Sequence, residues 1–166
     1  MTELATDPLT LGHTAISLVA IALGLLVLGQ MLVGRHCGRL AALFLGFTVL
    51  TSATGFLFAQ AGAQPTPGQI IGALSLLLMA AALYALYGRK LAGPWRAAYV
   101  VTSLLALWFN VLVLVIQTFV KIPALRAIAP GNPPSGPLFT SVQGVVLIAF
   151  LAAGWMSLKQ FKPTLD

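Results

Sequence analysis

Five long apolar stretches, none with an Asp, Glu, Lys or Arg inside it, constrain this chain more than any other feature. They cover residues 14–33, 40–58, 70–87, 97–120 and 138–158. The hydrocarbon core of a bilayer is about 30 Å thick, so a helix that crosses it needs roughly 20 apolar residues. We therefore predict an all-α fold, an integral membrane bundle of five transmembrane helices that forms a single domain over residues 1–166.

The composition agrees with lipid as the solvent of this chain. Hydrophobic residues make up 59% of it and charged residues only 7%, against about 25% charged residues in soluble domains. The net charge of +6 does not indicate a nucleic-acid partner, because the basic residues lie where membrane topology places them. The lipid bilayer is the expected partner, and a membrane-protein complex or a homo-oligomer is the further class of partner.

The prolines support the boundaries of the spans independently of hydropathy. All ten lie outside the five stretches, and proline breaks or kinks a helix. The third stretch is the shortest, and Pro67 to Gln69 could form its first turn. In the loop from Lys121 to Pro137, the segment Pro123–Ile128 is predicted to form one interfacial turn of helix.

The distribution of basic residues predicts the orientation of the bundle. Lys and Arg are enriched in cytoplasmic loops. One side of the membrane receives seven of them and the other side only Lys121 and Arg126. The seven are Arg35, Arg39, Arg89, Lys90, Arg96, Lys159 and Lys162. We therefore expect the N-terminus outside and the C-terminus in the cytoplasm.

Groups that could carry acid–base, metal or thiol chemistry are few. All three carboxylates, Glu3, Asp7 and Asp166, lie at the termini, so neither a proton relay within the bundle nor catalysis by paired carboxylates is indicated. Cys37 is the one cysteine, so it has no partner in the chain for a disulfide. His13 and His36 stand 23 residues apart, about 34 Å along a helix, which is too far to share a metal. No catalytic residue and no metal ligand is predicted, and the sequence leaves any cofactor open.

The fourth stretch carries the clearest polar pattern. Ser103, Asn110, Gln117 and Lys121 are spaced seven, seven and four residues apart, which places them on one helical face. An amide in hydrocarbon needs a partner, so we expect this face to point into the bundle. Interhelical hydrogen bonding is the favoured interpretation, and ligand binding is the second.

Polar side chains of the other spans concentrate in the half of the bundle predicted to be external. His13 opens the first span, Thr51 lies in the second and Gln143 in the fifth. His13 could cap its helix, bind a lipid headgroup or face a ligand. A mostly apolar pocket with a few fixed polar groups suits a quinone, a lipid or another hydrophobic small molecule. The ligand-binding hypothesis rests on the residues His13, Asn110, Gln117, Lys121 and Gln143.

Three segments carry a resemblance to a family. They are HTAISLVAI from His13, TVLTSATGFLF from Thr48 and NVLVLVIQTFVKIPALRAIAP from Asn110. The chain resembles a group of small multi-spanning bacterial inner-membrane proteins that has no known activity. The resemblance implies a bacterial inner-membrane location. Arg126 departs from it, since a His is expected at that position.

These observations favour a non-enzymatic protein of the bacterial inner membrane. It would act as an accessory subunit or as a binding module for a hydrophobic ligand such as a quinone or a lipid. The alternative is a small oligomeric channel or transporter, and the polar face of the fourth span supports this alternative. A membrane enzyme is the third interpretation. It is disfavoured because the sequence shows no nucleophile, metal cluster or carboxylate pair.

Overall fold

The computed structural model describes residues 7–35, 38–58 and 64–162, and within these residues every regular element is a helix. A 3-10 turn, Phe56–Phe58, prolongs the second helix, and a π-helical turn, Tyr84–Gly88, prolongs the third. The expectations for Glu3, His36, Cys37 and Asp166 fall outside the described residues. In chain order the helices are α1 (Pro8–Leu32), α2 (Gly38–Gly55), α3 (Pro67–Leu83), α4 (Trp95–Lys121), α5 (Pro123–Ile128) and α6 (Pro137–Gln160).

All of these helices except α5 are long and apolar enough to cross a membrane, α2 and α3 being counted with the turns that prolong them. The longest, α4, has 27 residues and a length of about 40 Å. The predicted all-α bundle with five helices of this kind is therefore confirmed. The chain has the architecture of a multi-pass membrane protein.

Helix α1 begins earlier than the hydropathy pattern suggested. It starts at Pro8, six residues before the predicted stretch, because Asp7 caps it: the carboxylate accepts a hydrogen bond from the Thr10 backbone N–H at 3.0 Å. The interpretation of His13 as the helix cap is therefore wrong, since His13 lies in the second turn. Asp7 suits the cap position because its short side chain can accept a hydrogen bond from a backbone N–H of the first turn. Pro8 suits the first helical position because proline has no N–H, and an N–H there would lack a partner within the helix.

Prolines mark the starts of further helices in the same way. Pro67 begins α3 behind a capping box in which Thr66 and Gln69 bond to each other's backbone N–H groups. Pro67 to Gln69 thus form the first turn of α3, as the sequence allowed. Helix α5, Pro123–Ile128, is the predicted helical turn in the long loop and is confirmed.

Helix α4 is the centre of the bundle and contacts each of the other four long helices. Helices α1, α2 and α3 pack in sequence around one side of it, and α6 packs against α4 and α1 on the other. Helix α6 is peripheral, and only Ser157 is buried among its residues. The large exposed side chains of α6 include Val145, Ile148, Leu151 and Trp155, which suit contact with lipid tails.

The interior of the bundle toward the α4 N-terminus is a packed, mainly apolar core. Gly24 of α1 lies where a Cβ atom would stand 2.5 Å from Leu107 Cδ1 and 2.7 Å from an atom of the Phe44 ring. Phe44 and Leu107 are both 1% exposed. Glycine therefore brings α1, α2 and α4 into close contact at this level and closes the bundle there.

Candidate ligand-binding cavity

A cavity of about 490 Å³ opens at the other end of the bundle, where α1 and α3 begin and α2 and α4 end. Its volume lies within the roughly 300–1,000 Å³ usual for small-molecule sites. Helix α1 lines it from Thr10 to Ile21, and α4 lines it from Asn110 to Lys121, with Ile122 beyond. Helices α2 and α3 complete the wall with Thr51, Ser52, Phe58, Ile71, Gly72 and Ser75.

The residues of α4 give the depth of the cavity. Lys121 ends the helix and is exposed at the mouth. Gln117 lies about 6 Å further in, and Asn110 about 16 Å, at a rise of 1.5 Å per residue. On the facing wall the distance from Thr10 to Ile21 is also about 16 Å. Beyond Asn110 and Ile21 the next turns bring Leu107 and Gly24 together, so the cavity ends at the apolar core.

His13 is held at the α1–α2 boundary by two contacts. Its Nδ1 lies 2.8 Å from Thr54 Oγ1, and its ring packs edge-on against Phe58 at 5.3 Å between centroids. The Thr54 hydroxyl also lies 2.8 Å from the carbonyl oxygen of Leu50, in its own helix. When that hydroxyl donates to Leu50, Nδ1–H of His13 donates to Thr54, and Nε2 keeps a lone pair for another donor.

One turn further in, Ser17 and Thr51 join α1 to α2 by a hydrogen bond between their hydroxyls. Ser17 Oγ also donates to the His13 carbonyl oxygen at 2.7 Å. The hydroxyls of Thr14 and Thr118 on the cavity wall donate to carbonyls of their own helices, at 2.7 Å each. Much of the polar lining therefore uses its hydrogens within the protein, as Ser and Thr in helices commonly do.

Asn110 differs from these groups, because its Nδ2 is buried and has no hydrogen-bond partner. The side chain lines the deep end of the cavity. An amide N–H₂ left unpaired in an apolar setting costs about 1–3 kcal/mol. Nδ2 is covered in this conformation, and a turn of the side-chain amide would bring it to a ligand oxygen in the cavity and remove this cost. Among the residues that line the cavity, Asn110 is therefore the one that favours a ligand most directly.

The cavity brings together four of the five residues of the ligand-binding hypothesis: His13, Asn110, Gln117 and Lys121. The structure places Gln143 elsewhere. Its Nε2 donates to the carbonyl oxygen of Leu112 at 3.3 Å, which links α6 to α4 outside the cavity. Gln143 lies in the same half of the bundle as the other four residues of the hypothesis. Its position along the bundle axis, however, does not determine on which side of α4 its side chain lies.

Ser103, the fourth member of the α4 polar face, lies outside the cavity and is buried in the apolar half. In the other direction, the cavity includes Ser75 of α3, which the sequence analysis did not select. Ser75 is 1% exposed and is the one hydroxyl residue of α3. A single hydroxyl in the apolar part of α3 is the sequence feature that would have identified Ser75 as a candidate.

Among residues 7–35, 38–58 and 64–162, no group of three or more His, Cys, Asp or Glu side chains is placed to hold a metal ion. The chemistry that the cavity offers is hydrogen bonding and charge: a buried amide donor, an imidazole, and an ammonium group at the mouth. Such groups fix and orient a ligand whose remaining surface contacts apolar walls such as Leu18, Ile21 and Val113.

Comparisons with known proteins found no relative of this chain. No protein-family model matches it, no curated protein matches it, and no solved structure matches it. The resemblance to small bacterial inner-membrane proteins stays an expectation from sequence.

Proposed function

We propose that this protein is a non-enzymatic binding protein of the bacterial inner membrane that holds a hydrophobic, quinone- or lipid-like ligand in its cavity. The observation that carries the proposal is the unpaired Asn110 amide at the end of a cavity of about 490 Å³. Within the proposal the mouth of the cavity faces outward, because the loops and helix ends at the opposite end of the bundle carry seven of the nine basic residues.

The closed apolar half favours binding over conduction. A channel or an alternating-access transporter needs a polar path through the membrane, but Gly24, Phe44 and Leu107 close the bundle beyond the cavity. Within one copy of the chain the cavity is therefore a blind site, which suits storage, sensing or delivery of a ligand. An accessory subunit that presents this ligand to a larger membrane complex is compatible with the same geometry.

The proposal is tested by native mass spectrometry of the full chain, purified in mild detergent from its natural host. We expect stoichiometric non-protein mass on the unmodified protein. The double substitution Asn110→Leu and Gln117→Leu should abolish that mass, because it removes the amides at the deep and middle levels of the cavity. Gln143→Leu is the matched control and should retain it, since Gln143 lies outside the cavity.

Thermal unfolding of the same variants separates ligand binding from interhelical hydrogen bonding. The Asn110→Leu variant should be as stable as the ligand-free unmodified protein or more so, because the unpaired donor is gone. Gln143→Leu should change the stability little, because it removes both the hydrogen bond to Leu112 and the buried, unpaired Oε1. A bare protein, or a double variant that keeps the bound mass, would contradict the proposal.

A further inference from the structure

The two ends of the cavity offer different chemistry to a ligand. Lys121, at the mouth, carries a positive charge, and Asp7 is the only carboxylate within residues 7–35, 38–58 and 64–162. Asp7 caps α1, where Thr10 donates to it from both its backbone and its hydroxyl, and it is not among the residues that line the cavity. The mouth therefore offers a cation whose charge no lining side chain balances.

The position of Lys121 can also be explained without a ligand. The neighbouring helix α5 provides a comparison. A basic residue in the last turn of a helix is stabilised by the helix dipole. Arg126 occupies the corresponding place in α5, at the same end of the bundle. Only Lys121 of the two lines the cavity. Arg126 is thus a matched control for any effect of charge at this membrane surface.

The deep end offers an uncharged donor. The backbone of Asn110 lies about 16 Å along α4 from that of Lys121, and the apolar core closes the cavity beyond it. No Lys or Arg lies in α4 between Arg96 and Lys121, so a second anion at this depth would have no partner there. An uncharged oxygen, as in a hydroxyl or a ketone, is the acceptor that suits this position.

The volume of the cavity limits the size of the ligand. About 490 Å³ lies in the lower half of the range of roughly 300–1,000 Å³ for small-molecule sites, which favours a ligand with one hydrocarbon chain over one with two. Leu18, Ile21, Val113 and Leu114 line the segment between the two ends. A chain with its charged head at Lys121 would lie as lipids lie in the bilayer, with its head at the interface.

We propose that the ligand is an anionic single-chain amphiphile with a second, uncharged oxygen toward the far end of its chain. The anionic head pairs with Lys121, and the distal oxygen accepts a hydrogen bond from Asn110 Nδ2 once the amide turns toward it. The head is a carboxylate or a phosphate. This inference rests on the proposed function and specifies the ligand class of the same cavity.

The test measures binding of radiolabelled ω-hydroxydodecanoate to the full chain in phosphatidylcholine nanodiscs, with empty nanodiscs subtracted. The extended chain of this probe approximates the length of the cavity, and the pH is kept where its carboxyl group is ionised. Dodecanoate lacks the distal oxygen, and the methyl ester of the probe lacks the charge. We expect each to bind about fivefold to tenfold more weakly than the probe. A comparison of the binding of dodecyl phosphate with that of dodecanoate shows which anionic head group the cavity prefers.

Two substitutions assign these effects to residues. Lys121→Gln should weaken the probe about tenfold and leave the methyl ester unchanged, whereas Arg126→Gln should change neither. Asn110→Leu should remove the preference for the probe over dodecanoate. The comparisons among ligands on the unmodified protein keep the proposal testable if a variant fails to fold.

The inference is overturned if the methyl ester binds as tightly as the probe, or if Arg126→Gln weakens the probe as much as Lys121→Gln. Tight, Asn110-dependent binding of an uncharged quinone with no binding of the anionic probes would overturn it and support the proposed function. If no probe binds and the native protein carries no ligand, both fail.

Discussion

Gly24 shows how a single residue sets the packing of the bundle. Its missing Cβ leaves room for Leu107 and Phe44, which close the apolar half immediately beyond the cavity. Gly29 lies five residues further along α1, and a Cβ there would meet nothing within 4 Å. The two glycines share a helix and differ only in what faces them, so they form a matched pair.

Substitution Gly24→Ala should destabilise the protein by about 1–3 kcal/mol, because the added methyl group displaces Leu107 and Phe44 from a filled core. Gly29→Ala should be neutral or stabilising by up to about 1 kcal/mol, because alanine has the higher helix propensity. Thermal unfolding in one detergent measures both. Equal effects of the two substitutions would show that α1 does not approach α4 at Gly24.

Helix α6 is fixed to the bundle at its C-terminal end by a side chain of α4. It buries little of its own surface, but its C-terminus is held by Arg96 at the start of α4. Arg96 Nη1 donates to the carbonyl oxygens of Leu158 at 2.9 Å and Phe161 at 2.6 Å. Leu158 belongs to the last turn of α6 and Phe161 follows the helix as its C-cap, so neither carbonyl has an N–H partner within the helix. A fixed cation at this end also suits the helix dipole.

Substitution Arg96→Gln should lower the stability by about 1–3 kcal/mol and loosen α6 first, because hydrogen bonds from a charged donor are lost. Arg89→Gln is the control. Arg89 contacts the Trp95 ring at 5.6 Å and should contribute less than about 1 kcal/mol. Limited proteolysis after α6, followed with thermal unfolding, measures both effects. Unchanged proteolysis of Arg96→Gln would show that α6 is held by its lipid-facing packing alone.

The whole molecule is divided along the bundle axis into a closed apolar half and a half with a polar cavity. The basic residues follow the same division, because the loops and helix ends at the closed end carry Arg35, Arg89 and Lys159 among others, and the cavity end carries Lys121 and Arg126. If the closed end is cytoplasmic, a ligand enters from the outer leaflet or from the external face. The orientation of the bundle in the membrane therefore determines the side from which a ligand enters the cavity.

Cys37 is the only cysteine of the sequence and falls between Leu32, where α1 ends, and Gly38, where α2 begins, so it can report orientation without any substitution. We expect a membrane-impermeant maleimide to label it only after cells are permeabilised. In a Cys37→Ala background, Ser135→Cys in the loop before α6 should be labelled in intact cells. The reverse pattern would place the cavity mouth in the cytoplasm.

Much of the architecture was readable from local sequence. Helix number, the ends set by Pro67 and Pro137, and the polar groups of the cavity half follow from composition along the chain. These features depend on the solvent and on hydrogen bonds within a few residues, so they need no knowledge of the neighbouring helices. The missed start of α1 belongs to the same class, since Asp7 before Pro8 is a local capping signal.

The direction in which each polar side chain faces required the packed bundle. Asn110 and Gln143 are both amides in the cavity half, yet Asn110 lines the cavity and Gln143 bonds to the backbone of α4. Ser103 shares a face with Asn110 and is buried in the core. Helical periodicity specifies which residues of one helix lie together, whereas the rotation of each helix against its neighbours depends on close contacts such as those at Gly24. The cavity exists because those contacts close one half of the bundle and leave the other half open.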